Sequence, residues 1–283
     1  MPLVRIPWFT SVAFFAAWRL LGADQPLPRV APDYTAASIV NAADNQSGLA
    51  PYAIGTIYGT NLAYSTMAIN QSNVQQGMLP VKLGAPDAVT VSIGNSPAAL
   101  YYVSPNQINF LVPPGLSPGP VMIYVSIDGL HGPIVPLTLA PAAPGLFQLA
   151  PGTCQSPSGG AIQCAVATLG NGAAALTPSS PAKPGDVVVL WVTGLGATVP
   201  PPDGFQLPTA AARLVDGANL SVLLNGVAVD PGAIQYAGIA PGFGGLYQVN
   251  IELPMSTGAY PEIRLQLDGA ISIPKVYLPV TSN

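Results

Sequence analysis

The chain has little charge. Of its 283 residues only 7% are Asp, Glu, Lys or Arg, against roughly a quarter in ordinary soluble domains. Helical domains cover their solvent faces with Glu, Lys and Arg, so this deficit argues against a helical fold. The 8 Lys and Arg form no run, and the formal net charge is -4. No basic stripe is present for a phosphate backbone or an anionic membrane surface, which argues against nucleic acid as a partner.

Reactive residue types are equally scarce. The one histidine, His131, sits in DGLHGP beside a hairpin turn, and no G-x-S-x-G elbow presents a serine to it. Glutamate occurs only as Glu252 and Glu262, both on strand faces where solvent is the ordinary neighbour, so the facing carboxylates of a glycosidase are not supplied. The aspartates form no D-x-D-x-D calcium loop. Glycines lie in hairpins and not ahead of helices, which removes the phosphate cradle. These absences read as a non-enzyme with no cofactor and no catalytic or metal-ligating residues. Cysteine is limited to Cys154 and Cys164, in CQSPSGGAIQC. The spacing is not C-x-x-C and further metal ligands are missing, so in an exported chain the pair reads as a small disulfide loop.

Long apolar runs are missing too. The N-terminal MPLVRIPWFTSVAFFAAWRLLGADQ has Arg5, an apolar stretch from Pro7 to Trp18 and small residues at Gly22 and Ala23. That layout is an export signal over residues 1–23, and its apolar stretch is short of the ~20 residues of a membrane span. Asp24 follows the expected cut, so no lipid-bearing Cys stands there. The expected location is extracellular, on the cell surface or in the periplasm, with no transmembrane segment in the mature chain.

What is abundant is proline (33), glycine (30) and apolar residues, 49% of the chain. Turns are plentiful, yet there is enough apolar surface to fold, unlike a disordered chain. Short strands joined by tight turns follow, an all-β fold.

The strands come in two series. QINFLVP (107–113) and QVNIELP (248–254) share Gln, Asn and Pro in the same slots. Around them the order of signals repeats: AIGTIYGTNL and VVVLWVTGLG, then VTVSIGNSPAALYY and SVLLNGVAVDPGAIQY, then two segments that each carry an Asp-Gly turn at Asp128 or Asp268. The reading is two tandem immunoglobulin-like β-sandwich modules, at 24–140 (with a lead-in over 24–50) and 183–283. The segment 141–182 connects them, carries the Cys loop and packs partly on the second module, with GLFQL and AVATL as added strands. The alternative is one larger barrel or jelly roll. In the repeated strand Ile108, Phe110 and Val112 fall on one face, as do Tyr247, Val249, Ile251 and Leu253. Gln107, Asn109, Gln248 and Asn250 fall on the other, and Pro113 and Pro254 stop the ladder. The amides are expected to hold the Gly-rich turns Gly59-Thr60-Asn61 and Gly194-Leu195-Gly196.

Those segments carry a resemblance. IVNAADNQSGLAPYAIGTIYGTNLA, ALYYVSPNQINFLVP, PAKPGDVVVLWVTGLGAT and IAPGFGGLYQVNIELP are similar to a Solibacter-type C-terminal domain family of secreted and surface proteins of acidobacteria. Each half also resembles IPT/TIG immunoglobulin-like domains, whose opening strand ends in a G-x-N-[LF] turn, here Gly59 to Leu62. The second half departs there, with Gly194-Leu195-Gly196. The resemblance implies an exported accessory sandwich and brings no catalytic residues.

The expected function is therefore adhesion or structural interaction at the cell surface, with a surface protein or polysaccharide as partner. A carbohydrate-binding module is the alternative, with Tyr101 and Tyr102 as its candidate aromatic platform and Trp191 expected in the core. A hydrolase accessory domain is the second alternative.

Overall fold

Alternation decides the strands. In VTVSI, Val89, Val91 and Ile93 are fully buried while Thr90 and Ser92 between them are half-exposed, the period of two expected of a sheet with one wet face. A computed structural model describes residues 29–85, 87–156, 158–170 and 175–282. The expected signal over 1–23 lies outside them. The first half contains β1 (Ile39–Asn41), β2 (Ile54–Tyr58), β3 (Val89–Ile93), β4 (Ala99–Ser104), β5 (Gln107–Leu111), β6 (Gly119–Ile127) and β7 (Val135–Leu139). One sheet runs β1-β2-β5-β4 and ends on the short strand Met67–Ala68; the other runs β7-β6-β3 and ends on Ser96–Pro97. Ile57, Val91, Ile93, Leu100, Ile108, Phe110, Ile123 and Val125 fill the space between them.

The second half repeats the plan with β8 (Ala167–Leu169), β9 (Val187–Thr193), β10 (Ala212–Leu214), β11 (Ser221–Leu224), β12 (Ile234–Ile239), β13 (Tyr247–Glu252) and β14 (Ile263–Leu267). Its large sheet runs β9-β13-β12-β10, with Gly145–Leu146 and β8 taking successive stretches of the same edge of β9. The facing sheet is built on β11 and β14. Val188, Leu190, Val192, Val222, Val249, Ile251, Ile263 and Leu265 form the core between them. The protein is thus all-β, with immunoglobulin-like sandwich architecture. Its hairpin turns follow residue chemistry: Asp128-Gly129, Asn225-Gly226 and Asp268-Gly269 all take positive φ at both positions, as two-residue turns between twisted strands require.

Residues 31–283 form one compact unit, and the contact between its halves is specific. Thr193, wholly buried, accepts the backbone N-H of Ile54 through its Oγ1 at 2.9 Å and donates to the Gly245 carbonyl at 2.7 Å. The Tyr101 hydroxyl donates to the Gly244 carbonyl at 2.6 Å. Main-chain bonds join Leu79 N-H to Phe205 and Leu207 N-H to Gly77. The second core also takes in Tyr52, Leu79, Ala99 and Leu111 of the first half. Gly245 (φ +70°) has no room for a side chain, since a Cβ there would stand 2.5 Å from Leu111. The halves have two distinct cores, and one of them crosses the junction.

Cys154 and Cys164 are disulfide-bonded, 10 residues apart. The strand Ala161–Cys164 lies parallel to Val276–Tyr277, which ties the loop to the C-terminal strand of the fold.

Two stability predictions arise. Thr193→Val leaves the Ile54 N-H and the Gly245 carbonyl buried without partners, and should cost about 2 to 3 kcal/mol in urea denaturation. Replacing both cysteines by serine releases a short loop and should cost about 2 to 3 kcal/mol, or less where the hairpin persists in the unfolded chain.

Candidate functional site

The two copies of the Gln-x-Asn strand occupy equivalent places. In the first half Asn109 on β5 lies between Thr56 on β2 and Tyr102 on β4, with Val40 on β1 one strand beyond. In the second, Asn250 on β13 lies between Val189 on β9 and Tyr236 on β12, with Thr168 on β8 beyond. A β-bulge precedes both Tyr102 and Tyr236, so the irregularity is repeated as well. Two residues along, Tyr58 pairs with Gln107 and Trp191 with Gln248. Directly paired residues share a face, so each half presents amides flanked by aromatic rings on the outward side of the sheet that carries its Gln-x-Asn strand.

The amides do not hold the glycine-rich turns, contrary to the expectation from sequence. Gln107 Nε2 donates to Asn109 Oδ1 at 2.8 Å, and Thr56 Oγ1 donates to the same oxygen at 3.1 Å. Asn250 Oδ1 is buried and accepts no hydrogen bond. The turns are held from elsewhere. Gly59 and Leu62 donate to the carbonyls of Asn106 and Pro105, while the carbonyls of Gly194 and Gly196 accept from Ala143 N-H and the Tyr247 hydroxyl. Cross-strand pairing places these amides against the next strand on their own face, out of reach of a turn at the strand end. Pro113 and Pro254 lie two residues past the ends of β5 and β13.

Tyr101 and Tyr102 point to different surroundings. Tyr102 is half-buried on the outward face beside Asn109. Tyr101 is bonded across the junction to Gly244, and burial raises its pKa far above that of a free phenol. It serves the contact between the halves. Trp191, expected in the core, is half-buried on the outward face, because Leu190 and Val192 on either side take the core positions.

In the second half the outward face is half-exposed at Val187, Trp191, Gln248, Asn250 and Tyr236, buried at Val189 and exposed at Glu252. Ile54 and Leu111 lie at the first half's edge of the repeat, packed against the second core; their counterparts by register are Val187 and the exposed Glu252. A shallow depression of about 440 Å³ lies there, lined by Leu169, Gly170, Asp186, Val187 and Gln235. Beside it the Arg213 guanidinium stands 5.2 Å over the Tyr236 ring. Tyr236 Oη is 2.9 Å from the Ile239 carbonyl and 3.1 Å from that of Ala212, which lays the phenol across Gly238. Sequence reasoning singled out neither Thr168 nor Tyr236, although the matched segments VTVSIGNSPAALYY and SVLLNGVAVDPGAIQY end on Tyr102 and Tyr236.

Among the described residues no three His, Cys, Asp or Glu side chains converge as a metal site, and no helix is long and apolar enough to cross a membrane. His131 packs edge-on to Tyr124 at 5.8 Å.

The first-half fold is matched by sequence: residues 52–139 fit the family model of the IPT/TIG domain, and a TIG domain lies there. No curated protein shows significant similarity to the chain. Among solved structures, the chain is similar to SGBP-B of the Bacteroides ovatus mixed-linkage glucan utilization locus, in complex with a mixed-linkage heptasaccharide. The identity is 12% and the TM-score 0.33, over 91% of this chain and 48% of that one. SGBP-B from a complex xyloglucan utilization locus in Bacteroides uniformis matches at 11% identity and a TM-score of 0.24, over 88% of this chain and 50% of that one. Domains 5-6 of the S-layer protein SbsC match at 11% identity and a TM-score of 0.26, over 89% and 99%. The chain spans about half the length of the first two.

The buried phenols predict alkaline sensitivity. Burial pushes Tyr52 up to about 12, against a weaker opposite pull from the Gly245 backbone, and its hydroxyl closes no hydrogen bond of good geometry. Burial raises Tyr101 and Tyr247 further. An unfolded phenol ionises near 10, so above that pH the unfolded chain releases protons that the native chain retains. Stability is full below pH 10 and falls as pH rises toward 12, by about 1.4 kcal/mol per pH unit for each buried tyrosine. Denaturation midpoints at pH 8, 10 and 11.5 check this, with Tyr101→Phe flattening the slope.

Proposed function

We propose that the protein is an exported, non-catalytic interaction module that works by adhesion or structural contact at the cell surface. It is built as modules over 24–140 and 183–283, joined by 141–182, and exported by the signal over 1–23. The observation that carries this reading is the repeated outward face: aromatic rings and neutral amides in the same register on two sandwiches whose junction is hydrogen-bonded and packed. A fixed pair of such faces suits recognition of a large partner, because little ordering entropy is lost on binding. The Cys154–Cys164 bridge supports an oxidising compartment outside the cytosol.

Co-sedimentation of the purified protein with isolated cell envelopes tests the proposal. Because the faces carry so few charges, the protein should pellet with the envelopes and stay there as salt rises from 50 to 500 mM, since Debye screening has little to act on. Protein left in the supernatant at every salt concentration contradicts an envelope-facing role.

A further inference from the structure

The two repeated rows differ by one exchange. In the first half the row reads Val40, Thr56, Asn109, Tyr102; in the second it reads Thr168, Val189, Asn250, Tyr236. Valine and threonine have traded places. In the first half the Thr56 hydroxyl is on the strand next to Asn109 and donates to it. In the second the hydroxyl belongs to Thr168, a further strand away, and neighbouring strands stand ~4.8 Å apart, so it cannot reach Asn250. Both Thr168 Oγ1 and Asn250 Oδ1 are consequently buried without a hydrogen-bond partner. Groups in this state are rare and call for an explanation. One face that closes its hydrogen bonds internally and a second, equivalent face that leaves two open are doing different things.

The geometry points to the outward face of the β9-β13-β12 sheet as a binding site for a neutral glycan chain, with the Trp191 ring as platform and Asn250 and Thr168 as hydrogen-bonding groups. This rests on the proposed role as an interaction module and names the ligand class. Trp191, Gln248 and the phenol of Tyr236 over Gly238 form a strip across three strands, the arrangement a sugar ring can lie on with its C-H face against an aromatic ring. Asn250 Oδ1 can accept from a sugar hydroxyl, and Thr168 Oγ1 can accept or donate. Asn250 Oδ1 is closed to solvent, so binding on this reading requires a flanking side chain on the same face, half-buried Gln248 or exposed Glu252, to swing aside. The charge pattern selects the ligand. The strip is neutral, with the cation Arg213 and the anions Asp186 and Glu252 on its margins, so an acidic polysaccharide or a nucleic acid finds no basic patch. The corresponding first-half row has no open acceptor, since Asn109 is already satisfied twice.

The test is native affinity electrophoresis of the full chain in gels containing galactomannan, xyloglucan, mixed-linkage β-glucan, dextran or, as the acidic control, polygalacturonate. At least one neutral polysaccharide should retard the protein, and polygalacturonate should not. Trp191→Ala should weaken that binding at least tenfold. Val189→Thr restores the first-half arrangement beside Asn250; it should weaken binding about fivefold while the melting temperature stays level or rises. That opposite movement separates a ligand site from a merely structural row. Migration unaffected by every neutral polysaccharide overturns the site, as does binding that survives both substitutions. Envelope co-sedimentation that persists in Trp191→Ala, with no glycan retardation, overturns this site and leaves the interaction reading standing. Loss of envelope binding in the unsubstituted protein refutes the interaction reading itself.

Discussion

The side chain of Thr193 makes the contact on which the rest of the structure depends. With one oxygen it accepts the Ile54 N-H from the first half and donates to Gly245 of the second, at a point where no water reaches. Each of those backbone groups would otherwise be buried without a partner, a penalty of about 1 to 3 kcal/mol apiece. Around it, Tyr101 and Leu111 press on Gly244 and Gly245, which have no side chains to interfere. The junction is therefore packed as a core is packed, and Tyr52, Leu79, Ala99 and Leu111 belong to the second core although their chain segments lie in the first half.

Docking in this way has a consequence for the faces. It covers the Ile54 and Leu111 end of the first half's outward sheet and leaves the matching Val187 and Glu252 end of the second uncovered. One sheet is partly consumed by the contact and its remaining polar row is satisfied internally. The other is held in place outside the junction, half-exposed and incompletely satisfied. The fold presents two surfaces equivalent in register, and the junction covers part of only one of them.

Much of the fold was legible from residue chemistry. Asp-Gly and Asn-Gly pairs demand positive φ and take it, and the alternation in VTVSI and QVNIELP assigns core and outward faces correctly. The likeness of the two Gln-x-Asn strands is a likeness of register, down to the bulge before each tyrosine. Less was legible of the site. VVVLWVTG is apolar on both faces, so its pattern does not say that Trp191 points away from the core while Leu190 and Val192 fill it. The amides were assigned to the wrong partners because strand period tells which side a residue takes and is silent on which strand lies next to it. Tyr101 and Tyr102 are adjacent in sequence, yet only the junction distinguishes a phenol bonded to Gly244 from one beside Asn109.

The most direct measurement of the central claim, that the two sandwiches are locked together by a buried junction, is residue-resolved hydrogen exchange at the Ile54 amide. This N-H has its acceptor on the other half. If the halves are locked, Ile54 exchanges only on global unfolding and as slowly as core amides such as Val249. Exchange at Ile54 that is orders of magnitude faster than at Val249 would mean that the halves separate while each stays folded, and would contradict the account.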